Sequence, residues 1–270
     1  MTRNMTRIWG IAILLVCVLA SMGAGFIAHA SYDAQDRDHL DAAPSWRFPL
    51  GTDELGRDRF ARLLCGTRVS LLLAPCAAFI SISISAAAGI LAGSWGGWRE
   101  GLILSGTDLV LSLPWLFLLL TIRAMLPLNV SPWLSVVVTF ALLGLLGWAS
   151  AARVIHAGVR SLHNSGFVQH ARACGCPPRR LMFAHILPNL KPVLFAQFWI
   201  LVPAFLLSEA NLGLLGLGVA EPLPSLGNLL RDLENLPGLF SKPWLLAPVV
   251  LLLAVVSSLH LVLSNEETSV

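Results

Sequence analysis

Six long apolar runs, separated by polar segments, constrain the fold of this chain more than any other feature. Hydrophobic residues make up 56% of the 270 positions and charged residues 12%. A helix rises ~1.5 Å per residue, so about 20 apolar residues cross the ~30 Å hydrocarbon core of a membrane. The sequence therefore predicts an all-α integral membrane protein with six transmembrane helices. The predicted spans are Ile8–Ile27, Val69–Ala92, Gly101–Leu126, Trp133–Val154, Lys191–Leu212 and Trp244–Leu263.

The pattern of runs divides the chain into three predicted parts. Residues 1–68 hold the first transmembrane helix (about 8–28) and an external amphipathic linker. Residues 69–263 form the transmembrane core, and residues 264–270 form a short tail. The first run ends at a sequence that resembles a signal-peptidase site, but it exceeds the ~7–15 apolar residues of a signal peptide. We therefore expect an uncleaved helix with a cytoplasmic amino end, and a cleaved signal is the alternative.

The external linker contains a candidate amphipathic helix. Thr52 or Asp53 is expected to cap it, because their side-chain oxygens accept hydrogen bonds from the first turn of a helix. Its apolar residues share one face, which is typical of a helix at a membrane interface. A solvated connector is the alternative. The apolar residues are Leu55, Phe60, Leu63 and Leu64.

The polar segment from Arg153 to Lys191 carries basic residues and no Asp or Glu. Segments of this kind lie on the cytoplasmic side of bacterial membranes. The outer segment Tyr32–Arg68 is also rich in arginine, but acidic residues accompany them. The basic residues of the central segment are Arg153, Arg160, Arg172, Arg179, Arg180 and Lys191.

Within this central segment, residues 166–189 predict a helix, a sharp bend and a second helix. Gly175 suits the end of the first helix, where a left-handed residue is often required. Pro177 and Pro178 prevent that helix from continuing. The second helix is expected to run from Arg179 and to close at Pro188. An apolar stripe on the first helix needs a partner to cover it, and packing against the chain's own bundle is the alternative.

The segment Val168–Asn189, VQHARACGCPPRRLMFAHILPN, resembles the EAA loop of ABC-importer permeases. Four other segments resemble, in the same order, the second permease subunit of the dipeptide/oligopeptide/nickel subfamily. The resemblance extends from about Phe48 to Pro248. The four segments are FPLGTDELGRDRFARLLCGTRVSL (48–71), GILAGSWGGW (89–98), DLVLSLP (108–114) and LSEANLGLLGLGVAEPLPSLGNLL (207–230).

This resemblance implies a type I ABC importer permease fold with a cytoplasmic coupling (EAA) loop. In that family the loop forms a coupling helix that sits in a groove of a cytoplasmic ATPase. Ala171 and Gly175 match the Ala and the Gly of the family motif. The residues expected to couple to the ATPase are Phe167, Val168, Gln169, His170, Ala171, Gly175, Pro177 and Pro178.

The resemblance also implies partners and a location. We expect a second permease subunit in a heterodimer, two ABC ATPase subunits and an external or periplasmic solute-binding protein. The expected location is the bacterial plasma (inner) membrane, and the cargo is a peptide or a similar small solute, such as a dipeptide, an oligopeptide or a nickel chelate. A net charge of +3 and the lack of a basic-aromatic patch argue against nucleic acid as a partner.

The chain contains no Walker A sequence G-x4-G-K-[ST] and no nucleophile elbow G-x-S-x-G. We therefore expect no directly bound cofactor and no enzymatic activity, with ATP used by the partner ATPase. Metal binding is not expected either, since Cys174 and Cys176 form C-x-C and lack the second cysteine pair of a zinc site.

The sequence departs from the family pattern at the start of the coupling loop. Gln169-His170 stands where the pattern has Glu-Ala. A carboxylate there would allow a charge-assisted hydrogen bond to the ATPase, whereas glutamine accepts only a neutral one. Leu226 also replaces a usual Trp, and the tail lacks the basic ending common in relatives.

Polar residues inside the predicted spans are candidate functional residues, because charge is costly in a membrane. Asp108 is expected to cap a helix or to bond between helices, and Glu209 to brace the outer gate or to bond across the subunit interface. Pro114 is expected to kink the third span, and Arg123 to snorkel outward. The alternative function, an ion-coupled secondary transporter, would use Asp108 and Glu209 as ion sites. A membrane-embedded enzyme would need a polar catalytic cluster, which the sequence lacks.

Overall fold

The computed structural model describes residues 2–28, 30–125, 131–234 and 241–263. These residues form helices joined by loops, with two isolated β-bridges and no β-strand. The end of the third predicted span at Leu126, the turn after it and the tail 264–270 lie outside the described residues. The helices are α1 (Thr2–Met22), α2 (Ala24–Ile27), α3 (Arg59–Trp95), α4 (Gly97–Ser112), α5 (Trp115–Met125), α6 (Pro132–Leu146), α7 (Ala149–His163), α8 (Gly166–Ala173), α9 (Pro178–Arg180), α10 (Leu187–Leu214), α11 (Leu226–Leu230) and α12 (Ala247–Leu263).

Three non-α segments complete the helical path. A π-helical segment, Leu181–Ile186, joins α9 to α10, and 3₁₀ turns lie at Arg231–Glu234 and Pro243–Leu246. Five of the described helical stretches are long and apolar enough to cross a membrane. The pair α4–α5 makes a sixth span when it is counted as one. The predicted all-α fold is confirmed, and the six spans are found with that pair included.

The third predicted span is broken rather than straight. Helices α4 and α5 meet at an angle of 80°. The break falls at Leu113, whose φ of −83° and ψ of 132° are extended. The residue before a proline is driven out of the helical region, and Pro114 itself has no N–H to donate. Pro114 therefore lies at a sharp break between two helices.

The separate amphipathic helix predicted in the external linker is absent from the structure. Helix α3 begins at Arg59, and Asp58 rather than Thr52 or Asp53 caps it, since Asp58 Oδ1 accepts the Phe60 N–H at 2.9 Å. The helix then continues for 37 residues to Trp95. At ~1.5 Å per residue this is about 55 Å, so one helix contains both the end of the linker and the second span.

Thr52 and Asp53 instead order the loop that precedes α3. Thr52 Oγ1 accepts the Ala42 N–H at 2.8 Å. Asp53 Oδ1 accepts the N–H groups of Leu55 at 3.0 Å and Arg57 at 2.8 Å. A carboxylate that accepts a hydrogen bond from the backbone N–H two residues later forms a tight turn. The helix therefore begins only after this turn, at Arg59, with Asp58 as its cap.

The chain divides into two compact units. Unit 1 comprises Met1–Pro75, Ile122–Phe140 and Pro203–Val270, and unit 2 comprises Cys76–Thr121 and Ala141–Val202. Their bounds cut α3, α5, α6 and α10.

In unit 1, charged residues of the loop before α3 and of the first turn of α3 contact the segment between α10 and α12. Arg57 Nη1 donates to Glu221 Oε2 at 2.6 Å, and Arg62 Nη2 donates to Glu221 Oε1 at 2.8 Å. Arg59 pairs with Asp232 in the same way. Burial on its own raises the pKa of the Glu221 carboxyl, but the hydrogen bonds from Arg62 and Arg57 outweigh it and hold that pKa below its usual value. The carboxylate therefore stays charged where it bridges two arginines.

In unit 2, glycines of α3 allow α7 to approach closely. A Cβ on Gly89 would lie 2.7 Å from the Ala152 carbonyl oxygen, and one on Gly93 would lie 2.6 Å from Val159 Cγ1. Small residues of this kind let membrane helices pack backbone to backbone. Their spacing of four residues places both glycines on one face of α3.

We predict that Gly89→Ala destabilises the protein by about 1–3 kcal/mol. The added methyl group would clash with the Ala152 carbonyl oxygen, which belongs to the backbone and cannot move away by changing a side-chain rotamer. Gly106→Ala is the matched control, since a Cβ on Gly106 of α4 meets nothing within 4 Å. Alanine there is expected to be neutral or to stabilise the helix by up to ~1 kcal/mol. The measurement is thermal unfolding of the purified protein in detergent. Equal stability of the two variants would contradict the close contact.

Candidate coupling segment and buried polar groups

Helix α8 is short and attached to the protein mainly through one side chain. It begins after Ser165, whose φ of −70° and ψ of 147° are extended. Val168 is fully buried, whereas Phe167 is 46% exposed. Gln169 and His170 are also exposed. The helix therefore anchors on Val168 and presents its remaining length outward.

The bend after α8 has the hydrogen bonds of a Schellman motif. The Cys176 N–H donates to the Ala171 carbonyl at 3.1 Å, and the Gly175 N–H donates to the Arg172 carbonyl at 2.9 Å. Gly175 has a φ of +77°, the left-handed conformation that the sequence predicts for it. Glycine adopts this region without the cost that a side chain imposes.

Two prolines fix the exit from the bend. Pro177 is extended, with φ −65° and ψ 149°, and Pro178 is the first residue of α9. Proline suits this first position because its missing N–H would have no partner there in any case. The bend is therefore defined on one side by a glycine and on the other by two residues of restricted φ.

The side chains that replace the family's Glu-Ala make local contacts. The Gln169 side-chain amide donates to the Asn164 carbonyl at 3.2 Å. His170 Nε2 lies 3.8 Å from Cys174 Sγ, one turn later on the same face. Both contacts lie on the exposed surface of α8. This surface of α8 therefore presents the neutral amide of Gln169 where the family pattern has a carboxylate.

The sequence predicts that the second helix of the loop ends at Pro188, and this prediction is wrong. The helical path runs without interruption from Pro178 to Leu214. The Leu187 N–H donates to the Met182 carbonyl, five residues back, so the π-helical turn widens the backbone just before the proline. The Asn189 side chain donates to the His185 carbonyl at 2.6 Å. The helix therefore continues through Pro188, with a π-helical turn directly before it.

Asp108 lies on α4 and pairs with Arg153 on α7. Both side chains are about half exposed, at 51% each. A second ion pair joins the same two helices, since Glu100 Oε1 lies 2.8 Å from His156 Nε2 and 3.5 Å from Arg160 Nε. The acids of α4 therefore pair with cations of α7 inside unit 2.

Glu209 is completely buried and its carboxylate is surrounded by donors. The Ser225 hydroxyl donates to Oε1 at 2.6 Å, and the Ser70 hydroxyl donates to Oε2 at 3.2 Å. The Gly227 N–H lies 3.2 Å from both oxygens. A Cβ on Gly227 would lie 2.5 Å from Oε1, so the backbone approaches as closely as a glycine allows. This site joins α10, α3 and the start of α11.

Arg123 is buried rather than exposed at the membrane surface, so the expectation that it snorkels is wrong. Its relative exposure is 2%. Nη2 donates to Ser135 Oγ at 2.8 Å and to the Gly218 carbonyl at 3.1 Å. Ser135 Oγ also accepts the Ala220 N–H at 3.0 Å. The guanidinium thus ties α5 and α6 to the loop after α10 within unit 1.

The sequence singles out Glu209 but does not reveal its partners. Ser70 is 139 positions away along the chain and Ser225 is 16 away. Ser225 carries one local signal, since it precedes a helix and caps it by accepting the Asn228 N–H. Ser70 carries none, because it lies in the apolar run of the second span.

The described residues contain no group of three or more His, Cys, Asp or Glu side chains that are placed to hold a metal ion. Cys174 is exposed and Cys176 is half-buried, and neither forms a disulfide.

The chain is similar in sequence to known transport proteins. Residues 85–265 match the family described as "Binding-protein-dependent transport system inner membrane component". The oligopeptide transport system permease protein OppC of Haemophilus influenzae is 31% identical over 247 residues, which is 90% of this chain and 76% of that protein. OppC of Mycobacterium tuberculosis is 32% identical over 230 residues, 85% of this chain and 78% of that protein. OppC of Bacillus subtilis is 29% identical over 241 residues, 89% of this chain and 76% of that protein.

The family match covers more than half of the chain, and the apolar helices, the bend at Gly175 and the broken third span fit a multi-pass transport protein. The chain therefore belongs to the family of binding-protein-dependent transport system inner membrane components, and it is a permease subunit of an ABC importer whose ATPase is a separate subunit.

Proposed function

We propose that this chain encloses half of a translocation pathway together with a second, different permease subunit. Two ABC ATPase subunits bind on the cytoplasmic side, and an external solute-binding protein delivers cargo to the opposite side. The chain lies in the inner membrane of a bacterium, and its amino end faces the cytoplasm. The single observation that carries the proposal is the exposed helix and bend at residues 166–178, which stand where the family couples to its ATPase.

The geometry of the coupling segment suits a part that receives force. The Schellman motif and the two prolines leave the bend little conformational freedom, so a push on α8 moves the bend as a unit. The helical path from Pro178 to Leu214 is continuous. Displacement at the cytoplasmic end is therefore carried along one helix to the level of Glu209.

Exposed cations surround the bend. Arg172, Arg179 and Arg180 are all exposed, and no acid lies between residues 153 and 191. The ATPase surface that binds α8 is therefore expected to be acidic around its groove. Gln169 supplies a neutral hydrogen bond where the family pattern has a carboxylate, so contact with the ATPase relies more on shape and on these arginines.

The cargo is a peptide or a similar small solute. The support is that the relatives in three bacteria are described as oligopeptide transport system permeases. The chain binds no cofactor directly, and ATP is bound and hydrolysed by the partner ATPase.

Nothing supports an ion-coupled transporter as the alternative. Asp108 is paired with Arg153. Glu209 is surrounded by donors from Ser70, Ser225 and Gly227, which complete its hydrogen bonds without an ion. The two acids thus have partners within the chain.

We predict that Gly175→Trp uncouples ATP hydrolysis from uptake. A side chain at φ +77° costs roughly 1–2 kcal/mol, which reduces the population of the correct bend about 5–30-fold. The measurement is cargo taken up per ATP hydrolysed by the reconstituted importer.

Gly101→Trp is the matched control for this prediction, because Gly101 lies in α4, outside the proposed coupling segment. A Cβ on either glycine meets nothing within 4 Å, but only Gly175 has a positive φ. Unchanged uptake per ATP in Gly175→Trp would show that the coupling bend lies elsewhere. Equal losses in both variants would attribute the effect to bulk rather than to backbone conformation.

We predict that Glu209→Gln destabilises the protein and that Glu209→Ala does so more strongly. Glutamine turns an amide N–H₂ toward groups that donate, which leaves a buried donor unsatisfied at a cost of about 1–3 kcal/mol. Alanine leaves all the donors without a partner and adds a cavity. Thermal unfolding and ATP-driven uptake are the measurements. A Glu209→Gln protein as stable as the wild type would contradict the structural role, as would uptake that a proton ionophore abolishes in the wild type.

A further inference from the structure

An open groove of about 630 Å³ lies between α3 and α10 in unit 2. Phe79, Ile82 and Ala86 line it from α3, and Phe195 and Phe198 line it from α10. Lys191 is the one charged residue of its lining. Pockets that hold small molecules have volumes of about 300–1,000 Å³ and are mostly apolar. The groove therefore has the size and the lining of a ligand site.

The depth of the groove follows from its position on α10. Lys191 begins the apolar run that ends near Leu212, so it lies at the membrane surface. Phe198 follows seven residues later, about 10 Å deeper at ~1.5 Å per residue. The groove thus starts at the surface and extends into one leaflet. That leaflet is the cytoplasmic one, an assignment that rests on the proposed orientation of the chain.

Lys191 lies at the surface end of the groove as an exposed cation. Among the described residues it makes no ion pair, and no acid precedes it in the chain back to Arg153. A lysine at this depth lays its aliphatic stem on apolar surface and holds its ammonium group at the level of the lipid headgroups. The groove therefore combines a long apolar channel with one cation at its mouth.

The side chains of Phe195 and Phe198 form one wall of the groove. Phe195 and Phe198 both contact Trp199 edge to face, with ring centroids 6.0 and 5.4 Å apart. Ser83, on the opposite wall, is exposed, and its hydroxyl donates to the Phe79 carbonyl at 2.7 Å. The hydroxyl proton is therefore already used within α3. The wall is thus apolar along its length.

We propose that this groove binds an anionic phospholipid, with an acyl chain between α3 and α10 and the phosphate on the ammonium group of Lys191. The cytoplasmic leaflet is rich in anionic lipids, and a basic residue near its surface gains ~1 kcal/mol from them. The chemistry at both ends of the groove is therefore that of a lipid. An apolar helix of another subunit is the alternative occupant, and the variants below distinguish it from a lipid.

The test is lipid retention by the assembled importer, measured by native mass spectrometry with phosphatidylglycerol and phosphatidylcholine of identical acyl chains. The wild type is expected to retain phosphatidylglycerol in preference. Lys191→Gln is expected to reduce that preference about fivefold, the factor that corresponds to ~1 kcal/mol. Lys191→Arg is expected to keep it. Ser83→Trp, which fills the channel from its exposed wall, is expected to reduce retention of both lipids.

Arg180→Gln is the matched control, since Arg180 is an exposed cation on the same helical path but lies outside the groove. An equal loss in Arg180→Gln and Lys191→Gln would overturn the proposal in favour of general surface charge. Retention unchanged in Ser83→Trp would overturn the acyl-chain site, and loss of the second permease from that variant would identify the groove as a subunit interface. ATP-driven uptake by the wild type tests the proposed function separately, because lipid retention requires no transport.

Discussion

Inside a bilayer no water is available to satisfy a backbone N–H or C=O, and this constraint decides most of the structure. The chain meets it with helices that continue well beyond the membrane thickness, such as α3. The polar side chains at depth obey the same rule. Glu209 is enclosed by two hydroxyls and a backbone N–H, and the Arg123 guanidinium donates to a serine and a carbonyl. These two side chains therefore bond to dipoles within the fold, although Arg123 Nε is buried without a hydrogen-bond partner among the described residues.

Three interruptions of the helical pattern have a local geometry that the structure shows. At Leu113 and Pro114 a backbone break turns the chain by 80°. At Gly175 a left-handed residue turns the chain between α8 and α9. At residues 181–186 a π-helical turn lets the helix pass Pro188 instead of ending there. Pro114 thus lies at a helix break, whereas the helical path continues through Pro188.

Local patterns in the sequence predict the spans, the Gly175 bend and the position of the Pro114 break, because each depends on residues adjacent in the chain. Other features depend on distant residues and are not predictable from local patterns. The cap at Asp58 replaces the one expected at Thr52 or Asp53, since Thr52 bonds to Ala42, ten residues earlier, and that contact is not visible in the local pattern. The burial of Arg123 follows from Ser135 and Gly218, which no local pattern connects to it.

The central claim is that the segment around α8 meets the ATPase, and site-specific photo-cross-linking tests it most directly. A benzophenone amino acid at Phe167, which is 46% exposed, is compared with one at Trp46, which is fully exposed in the loop before α3. In the assembled importer, the Phe167 probe is predicted to capture the ATPase and the Trp46 probe is not. Capture of only the permease chain by the Phe167 probe, or of the ATPase by the Trp46 probe, would contradict the account.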